Sequence, residues 1–504
     1  KLDGFGLIHS DLQGTRPFSR KEFARLIQEA ATEKARLGKD LPSLPSYLLE
    51  KLQREFKREL STLKAEEGRS SLSHIKPLQE FQARYVYTDG DPRHYRGYAM
   101  GSKGMNATEG NPMVNNNDGL IYGQHHNLQL RFSTSADFKD WASAYLEPYL
   151  LVRQGDGRPG DFDEVQADLL RGYGKLAPWN VELLVGRDSL WWGQGRHGEL
   201  LMSNNAFPLD MVKLSNPEPV ILPWYLGYLG PFKYTLFLSR LEDLLVMSPP
   251  PNREPYYTDV GFFGVRANFK PHPVFEMGIS ITTIFGGDRQ PSLSWKDIAG
   301  FFGVASGSNV KMNQLAELDF RFQLPFLRNI ELYGSYAGED TGGLEYIEEI
   351  LLGDIGYMVG VYVPRLTDDG LTDLRVEYAN NAHRVDSTPG VWYGHSTYRG
   401  GYVHDGMIMG HHMFGDAEDL FVRVSRYLRN DLNLGVDYDF MRRGITLNPI
   451  QEKVNEFGVD LTYDFCGSMR ISARYGFQMV DNYDVKEGVD RKNHLFTTAF
   501  KWDF

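Results

Sequence analysis

His404 and Asp405 are neighbours in the chain and form the pair that most resembles a catalytic acid–base couple. A hydrolase that used them would also need a nucleophile and a substrate held within hydrogen-bond reach of the imidazole. Nothing in the surrounding sequence positions a substrate there. Hydrolysis is therefore the weakest interpretation of this sequence, and we expect no enzyme activity.

Several histidines occur close together and raise the question of a metal site. They are His125, His126, His404, His411 and His412. Imidazoles and a carboxylate on one loop can bind a cation, but this spacing is no recognised signature, and adjacent strand residues point to opposite faces. The single cysteine, Cys466, excludes an intramolecular disulfide, a cysteine-rich metal site and a covalently attached c-type haem. We expect hydrogen bonding by the histidines, no metal and no cofactor.

The most distinctive stretch, GRDSLWWGQGRHGELLMSNNAFP, runs over residues 186–208. Adjacent tryptophans cannot share one face of a strand, so this stretch is predicted to leave the sheet. A tryptophan ring stacks on sugars and amides bond sugar hydroxyls, whereas bulky rings can equally fill a cavity. Two roles, polysaccharide binding or plugging of an interior space, stay open for Arg187, Trp191, Trp192, Asn204 and Asn205.

Two patterns of apolar residues divide the chain near residue 75. Before it, Ser19 and Glu22 have the spacing of a capping box, and a helical apolar pattern follows. Ser46 is predicted to cap a second helix with an apolar stripe from Leu48 to Leu60. After about residue 80 the period becomes 2, most clearly from His494 to Phe504, where one face is aromatic.

The period-2 segments predict an antiparallel transmembrane β-barrel. No apolar run approaches the roughly 18 residues that a membrane-spanning helix needs, and aromatic residues cluster near strand ends, as in the interfacial girdles of a barrel. Tight connections such as 429–431 alternate with long ones such as 98–118 and 380–417. We count about 18 strands, 391–398 among them, a number that leaves room for an aqueous lumen. The arginines predicted to line this lumen are Arg266, Arg321, Arg375, Arg423, Arg470 and Arg474.

Composition narrows the class of protein further. The 504 residues carry a net charge of −12, with 41% hydrophobic and 24% charged residues. These values exclude a disordered chain, and the negative balance argues against a nucleic-acid partner. The first residue is Lys1 rather than methionine, which fits an exported protein that has lost its signal peptide and fits a trimmed chain equally well.

Several short motifs resemble one known family. WWGQG, LLMSNNAFP and the LGPF of 229–232, together with RPFSRKEFARLIQEA at 16–30, look like the signature and opening segments of the Wzi capsule-assembly family. This resemblance implies an 18-strand outer-membrane barrel with an N-terminal periplasmic helical bundle. It also implies a non-catalytic, lectin-like protein that holds polysaccharide at the cell surface.

These observations give one expected organisation. Residues 1–75 form a small periplasmic α-helical domain, and residues 76–504 form an all-β barrel in the bacterial outer membrane, with an inward-folded segment near 186–232. The expected function is to bind and organise surface or capsular polysaccharide, with outer-membrane lipid as the other partner and a monomer as the expected state. The alternatives are a porin-type channel for small solutes and a sleeve or scaffold for a protein partner, such as a multihaem cytochrome, in the lumen or periplasm.

Overall fold

The structure is a computed structural model of the chain. It describes residues 1–37, 42–65, 73–90, 94–95, 107–108, 110–139, 141–154, 164–245, 255–288, 294, 296, 312–339, 355–382, 392–395, 398, 400–465 and 467–504. Cys466 and part of the predicted strand 391–398 lie outside the described residues.

Eighteen antiparallel strands close into one barrel. In chain order they are β1 His74–Thr88, β2 His125–Phe138, β3 Ala142–Arg153, β4 Glu164–Leu176, β5 Glu182–Asp188, β6 Leu209–Ser215, β7 Pro231–Arg240, β8 Gly261–His272, β9 Phe275–Phe285, β10 Met312–Leu324, β11 Ile330–Glu339, β12 Ile355–Val363, β13 Thr372–Asn380, β14 Ala417–Arg429, β15 Leu432–Arg443, β16 Glu452–Phe465, β17 Met469–Asp481 and β18 Arg491–Asp503. Consecutive strands pair, and β18 returns to pair with β1 from Glu80↔Asp503 to Thr88↔Leu495. The predicted fold class is confirmed.

Short and long connections lie at opposite ends of the barrel. Tight turns such as 273–274 and 430–431 join strands at one end, which we call the short-turn end. Long segments such as 89–124 and 381–416 join them at the other, the long-loop end. This alternation follows from antiparallel order, because every second connection returns to the same rim.

Three helices pack at the short-turn end. They are α1 Arg20–Leu37, α2 Ser43–Glu55 and α3 Lys57–Ala65. The predicted cap of α1 is present, since the hydroxyl of Ser19 accepts a 3.0 Å hydrogen bond from the Glu22 amide. Ion pairs from Lys51 to Asp464 and from Arg58 to Asp137 join the helices to the barrel rim. Among the described residues no helix is long and apolar enough to cross a membrane.

The second helical prediction is wrong in two details. The helix begins at Ser43 rather than after Ser46, because Pro42 precedes it and Pro45 is tolerated in a first turn, where the missing N–H has no partner to lose. The stripe from Leu48 to Leu60 is shared by two helices, because the chain leaves helical geometry at Phe56. Both helices bury their apolar side chains against α1 and the segment that precedes it.

The outward face of the barrel is an exposed apolar band. Strand alternation places one residue in two on this face, and many of the large apolar side chains on it are more than a third exposed. They include Leu128, Phe132, Leu146, Val165, Val185, Val212, Leu238, Ile279, Leu318, Val359, Val436, Val459 and Ile471. Trp179 and Trp224 at the short-turn rim are 94% and 90% exposed, as expected of aromatic anchors at a membrane interface.

The strand count is correct, but two compensating errors lie behind it. Residues 209–215 form wall strand β6, which the period-2 count missed inside the motif region. Among the described part of 391–398, no barrel strand is present, and Trp392 and Tyr393 are buried. The expected inward segment 186–232 is consequently shorter, because the chain leaves the wall at 189 and returns to it at Leu209.

Candidate functional site

Three inward segments meet inside the barrel. The first is residues 189–208 between β5 and β6, which we call the plug. The second is the inner loop, residues 400–416 before β14, and the third is the N-terminal segment, residues 1–16. The buried apolar side chains of the plug and the inner loop form one continuous core with the lumen face of the wall, and Leu200, Tyr402 and Ile408 have no exposed surface.

The two tryptophans of the plug lie in the lumen. They form a short antiparallel ladder with the N-terminal segment, in the register Thr15↔Trp192 and Arg16↔Trp191. Trp192 is fully buried against Phe237, with 5.4 Å between the ring centroids. The ring faces of Trp192 are covered by protein, so this residue fills space.

The neighbouring asparagines join the plug to the other loops. Asn205 is 3% exposed, and its side chain accepts a hydrogen bond from the Asn116 amide at 3.2 Å and donates one to the Ile408 carbonyl at 3.2 Å. The Asn204 carbonyl accepts a 2.8 Å bond from the Asp118 amide. Both asparagines therefore connect segments within the lumen.

Arg187 lies elsewhere. It belongs to the outward set of β5, with Val185, and its guanidinium donates two 2.8 Å hydrogen bonds to Asp210 on β6. The central carbon of this guanidinium, Cζ, lies 5.2 Å from the centre of the Phe207 ring. Arg187 faces away from the lumen, so it plugs nothing.

All six arginines predicted to line the lumen are on the inward face, and each has a carboxylate partner. Arg266 pairs with Asp319, Arg375 with Glu377 and Arg470 with Asp464. Arg321 contacts Asp3, Asp11, Glu276 and Glu331. Arg423 and Arg474 share Asp437 and Asp460. These pairs brace the inner face of the wall by charge-assisted interactions, and Arg321 also joins the wall to the N-terminal segment.

The N-terminal segment enters the lumen, which the sequence did not predict. Arg321 lies at its centre, with side-chain nitrogens 3.0 Å from Asp3, 3.1 Å from Asp11 and 3.1 Å from Glu276. Lys270 adds a 2.9 Å contact to Asp11. The acidic residues before α1 could have indicated this position, because each buried carboxylate needs a cation and the predicted inward face of the wall supplies arginines.

Glu199 is a fully buried carboxyl group at the tip of the plug. It accepts hydrogen bonds from the Gly195 amide and, at 3.1 Å, from the Ser335 hydroxyl. Gly193 beside it has φ +112°, a conformation that L side chains rarely adopt. Burial raises the pKa of Glu199 from 4.5 to about 8, so this group keeps its proton to a higher pH than an exposed carboxyl group does.

Barrel stability is expected to fall as pH rises from about 4.5 to 8, in part because of Glu199. In this window the unfolded chain has lost the proton that the folded chain keeps, which costs the folded state about 1.4 kcal/mol per pH unit. Above pH 8 this contribution is constant. Glu199→Gln should reduce the difference in unfolding free energy between pH 5 and pH 8, measured by chemical unfolding at both pH values. Glu487→Gln, at an exposed site, is the control; an unchanged difference in E199Q would contradict the assignment.

The predicted histidine groups do not form one site. The Nδ1 of His404 lies 2.8 Å from Glu242, so His404 is engaged across two loops rather than with Asp405. His126 lies on the outward face, with its Nδ1 2.5 Å from the Tyr85 hydroxyl. His411 and His412 stack in the lumen with 4.6 Å between ring centroids.

A polar pocket of about 50 Å³ opens at the long-loop end. We call it the rim pocket; its lining includes Asn115, Arg443, Glu452, Gln478, Tyr483, Arg491 and Asn493. The Arg491 guanidinium lies 4.2 Å from the centre of the Tyr483 ring, and the Asn493 amide donates a 2.5 Å bond to Gln478. Amide, guanidinium and carboxylate groups next to an aromatic ring are the groups that bind sugar hydroxyls and stack on sugar rings.

A cavity of about 450 Å³ lies at the opposite end, between α1, α3 and the wall. Lys175, Lys213 and Lys233 line it together with Glu182. Its lining also includes Leu190 and Arg16, which belong to the plug and the N-terminal segment. The plug and the N-terminal segment therefore form part of the lining of this cavity.

Known proteins similar to this chain agree with the architecture. The family model for the capsule assembly protein Wzi matches residues 95–495. A 55.8 kDa protein of the cps region of Klebsiella pneumoniae is 29% identical over 189 residues, which is 36% of this chain and 35% of the relative. The match thus spans about a third of that relative's length.

The solved structure of Wzi from Escherichia coli has a similar fold. It superposes with a TM-score of 0.68 at 19% identity, covering 100% of this chain and 96% of that chain. That protein is described as an outer-membrane protein involved in group 1 capsule assembly and as a carbohydrate-binding β-barrel. The family match, together with a closed barrel that has an apolar outer band, shows that the present chain is an outer-membrane barrel and belongs to the Wzi capsule assembly family.

Proposed function

We propose that the chain binds and organises surface or capsular polysaccharide at the outer face of the membrane, without catalysis. Membership of the family and the carbohydrate binding described for the Escherichia coli protein support this function. In the proposal the short-turn end with its helices faces the periplasm, and the long loops face the cell exterior.

The filled lumen is the observation that carries the proposal. A barrel of 16 to 18 strands is wide enough to hold water, and a porin keeps that passage open. Here the plug and the inner loop bury large side chains in the lumen, such as Trp192, Tyr402 and Phe414, and the N-terminal segment enters it beside Arg321. A barrel closed in this way offers its loops to a ligand rather than its bore.

The rim pocket is the proposed contact for the polymer. A sugar ring can stack beside Tyr483, while Asn115, Asn493 and Arg491 bond hydroxyl or carboxylate groups. A single contact of this kind on a wet surface is weak. Repeated units along one polymer, held by many barrels in the same cell, supply the retention through multivalency, so a monomeric protein suffices.

The double substitution Tyr483→Ala with Arg491→Ala is expected to weaken binding of purified surface polysaccharide to the purified protein in detergent by at least about tenfold, because it removes the stacking ring and its cation. Affinity electrophoresis against the polysaccharide measures this. Tyr228→Ala with Arg328→Ala is the matched control, since both residues are exposed at the short-turn end. Equal loss in the two double variants would contradict the proposed contact.

Planar-bilayer recordings distinguish this function from a channel. The closed lumen is expected to give little conductance from the wild-type protein. A steady open-channel current, or purification with a stoichiometric coloured partner in the lumen, would overturn the proposal and favour the porin or the sleeve.

A further inference from the structure

We infer that the lumen holds a structural zinc-type metal site built from His197, His412, Asp419 and Asp439. His197 comes from the plug, His412 from the inner loop, and the two aspartates from β14 and β15. One ligand atom from each residue lies within 4.8 Å of the others.

The distances suit a tetrahedral ion. His197 Nε2 lies 3.0 Å from an Asp439 oxygen and 3.6 Å from an Asp419 oxygen, and His412 Nε2 lies 3.3 Å from the other Asp419 oxygen. Zinc bonds of about 2.0–2.1 Å require ligand atoms ~3.3 Å apart along each edge of the tetrahedron. The contacts therefore need only small movements to coordinate an ion.

Several polar atoms of these side chains are buried without a hydrogen bond from the described residues. They are both ring nitrogens of His412, Oδ2 of Asp419 and Oδ1 of Asp439. His412, Asp419 and Asp439 are 3%, 1% and 3% exposed. Buried polar atoms are ordinarily satisfied, so several unsatisfied ones within one cluster indicate a ligand.

Charge gives an independent argument. Asp437, two residues before Asp439 on the same inward face, has Arg423 at 2.9 Å and Arg474 at 2.7 Å. Within the described residues, Asp419 and Asp439 have only imidazole partners. Two buried carboxylates need a compensating positive charge, and a divalent cation supplies it.

The surrounding contacts hold the imidazoles in place. The His197 ring lies flat on Phe421, with centroids 3.9 Å apart and 6° between the planes, and its amide donates a 2.8 Å bond to Glu377. His412 stacks on His411, whose amide donates a 2.9 Å bond to the Tyr393 hydroxyl. These contacts fix the positions of the two imidazole rings within the lumen.

The donor set identifies the class of ion and its role. Two imidazoles with two carboxylates suit zinc, whereas calcium and magnesium take sets of oxygen ligands only. Four protein ligands with no open position are typical of a structural site. The ion would bind the plug and the inner loop to the wall, and so keep the lumen closed.

Zinc binding to the chelator-stripped full chain in detergent tests this inference. Calorimetry with zinc chloride should show one ion per chain and a higher Tm, and His412→Gln and Asp439→Asn should each bind at least about 100-fold more weakly. His9→Gln, at an exposed histidine of the N-terminal segment, should bind as the wild type does.

Cobalt gives a second measurement on the unmodified protein, which stays informative if the variants fail to fold. Co²⁺ in the four-coordinate site should show intense visible absorption that zinc abolishes. Absence of zinc binding by the folded wild type, equal affinity in H412Q, or a weak six-coordinate cobalt spectrum would overturn the inference. In those cases the positive charge that compensates Asp419 and Asp439 would come from a protonated His197 instead of a metal ion.

Discussion

Arg321→Met is expected to destabilise the barrel by about 3–5 kcal/mol and to release the N-terminal segment from the lumen. Arg321 is 3% exposed and contacts Asp3, Asp11 and Glu276. Removing one partner of a buried ion pair leaves charge without compensation, and here four carboxylates, with Glu331 at 3.7 Å among them, lose their shared cation. Chemical unfolding in detergent measures the stability, and limited proteolysis followed by mass spectrometry detects release of the segment.

Arg328→Met is the control for this experiment. Arg328 also pairs with a carboxylate, at 2.6 Å from Asp368, but the two side chains are 54% and 91% exposed. Exposed pairs contribute about 0–1 kcal/mol, so R328M should unfold nearly as the wild type does. If R321M were no less stable than R328M and its N-terminal segment stayed resistant to protease, the segment would not depend on Arg321 for its position.

Trp192→Ala is expected to cost about 3–5 kcal/mol, because it leaves a cavity in the core of the plug. The Trp192 ring is fully buried, packs on Phe237 and lies against Gly264, where a Cβ atom would come within 2.8 Å of it. Thermal unfolding in detergent measures the loss. Trp224→Ala removes a 90% exposed ring and should change stability by less than about 0.5 kcal/mol.

The same pair of variants separates the two roles that the sequence left open for the tryptophans. A space-filling Trp192 predicts lost stability, with polysaccharide affinity retained by the molecules that remain folded. A sugar-stacking Trp192 predicts the reverse, namely lost affinity at wild-type stability. The second result would require the plug to open in solution.

Strand periodicity predicted most of the barrel because one wall face meets an apolar surrounding and the other does not. In β18, Phe496 and Leu495 sit on opposite faces, as the alternation requires. Period-2 alternation is a poor guide where a strand is short or where buried residues outside the wall show the same alternation. Strand β6 contains only seven residues and was missed. Trp392 and Tyr393 were predicted to lie in a wall strand, but they are apolar because they fill the lumen.

The site was harder to predict than the barrel because its contacts are distant in sequence. The sequence around Trp192, Gly193 and Asn205 predicts a segment that leaves the wall, and in the structure this segment lies in the lumen. Their partners Thr15 and Ile408 lie about 180 residues before and 200 after, and no local pattern connects them. Arg187 faces outward, because alternation along β5 places it opposite the inward Asp188.

Histidine spacing was equally uninformative about which side chains meet. His404, His411 and His412 are close in the chain, yet His404 pairs with Glu242 while His412 lies beside His197 and Asp419. A cluster assembled from two loops and two strands has no sequence signature. The alternation of Asp437 and Asp439 does place both carboxylates in the lumen, which was foreseeable from β15 alone.

Retention of polysaccharide on living cells tests the central claim most directly. A strain that lacks this protein is complemented with the wild type or with the Tyr483→Ala and Arg491→Ala double variant, at equal levels of folded barrel, and cell-associated and released polymer are measured. We predict that the wild type restores cell-associated polymer and that the double variant leaves most of it in the medium. Full retention by the strain without the protein would contradict the account.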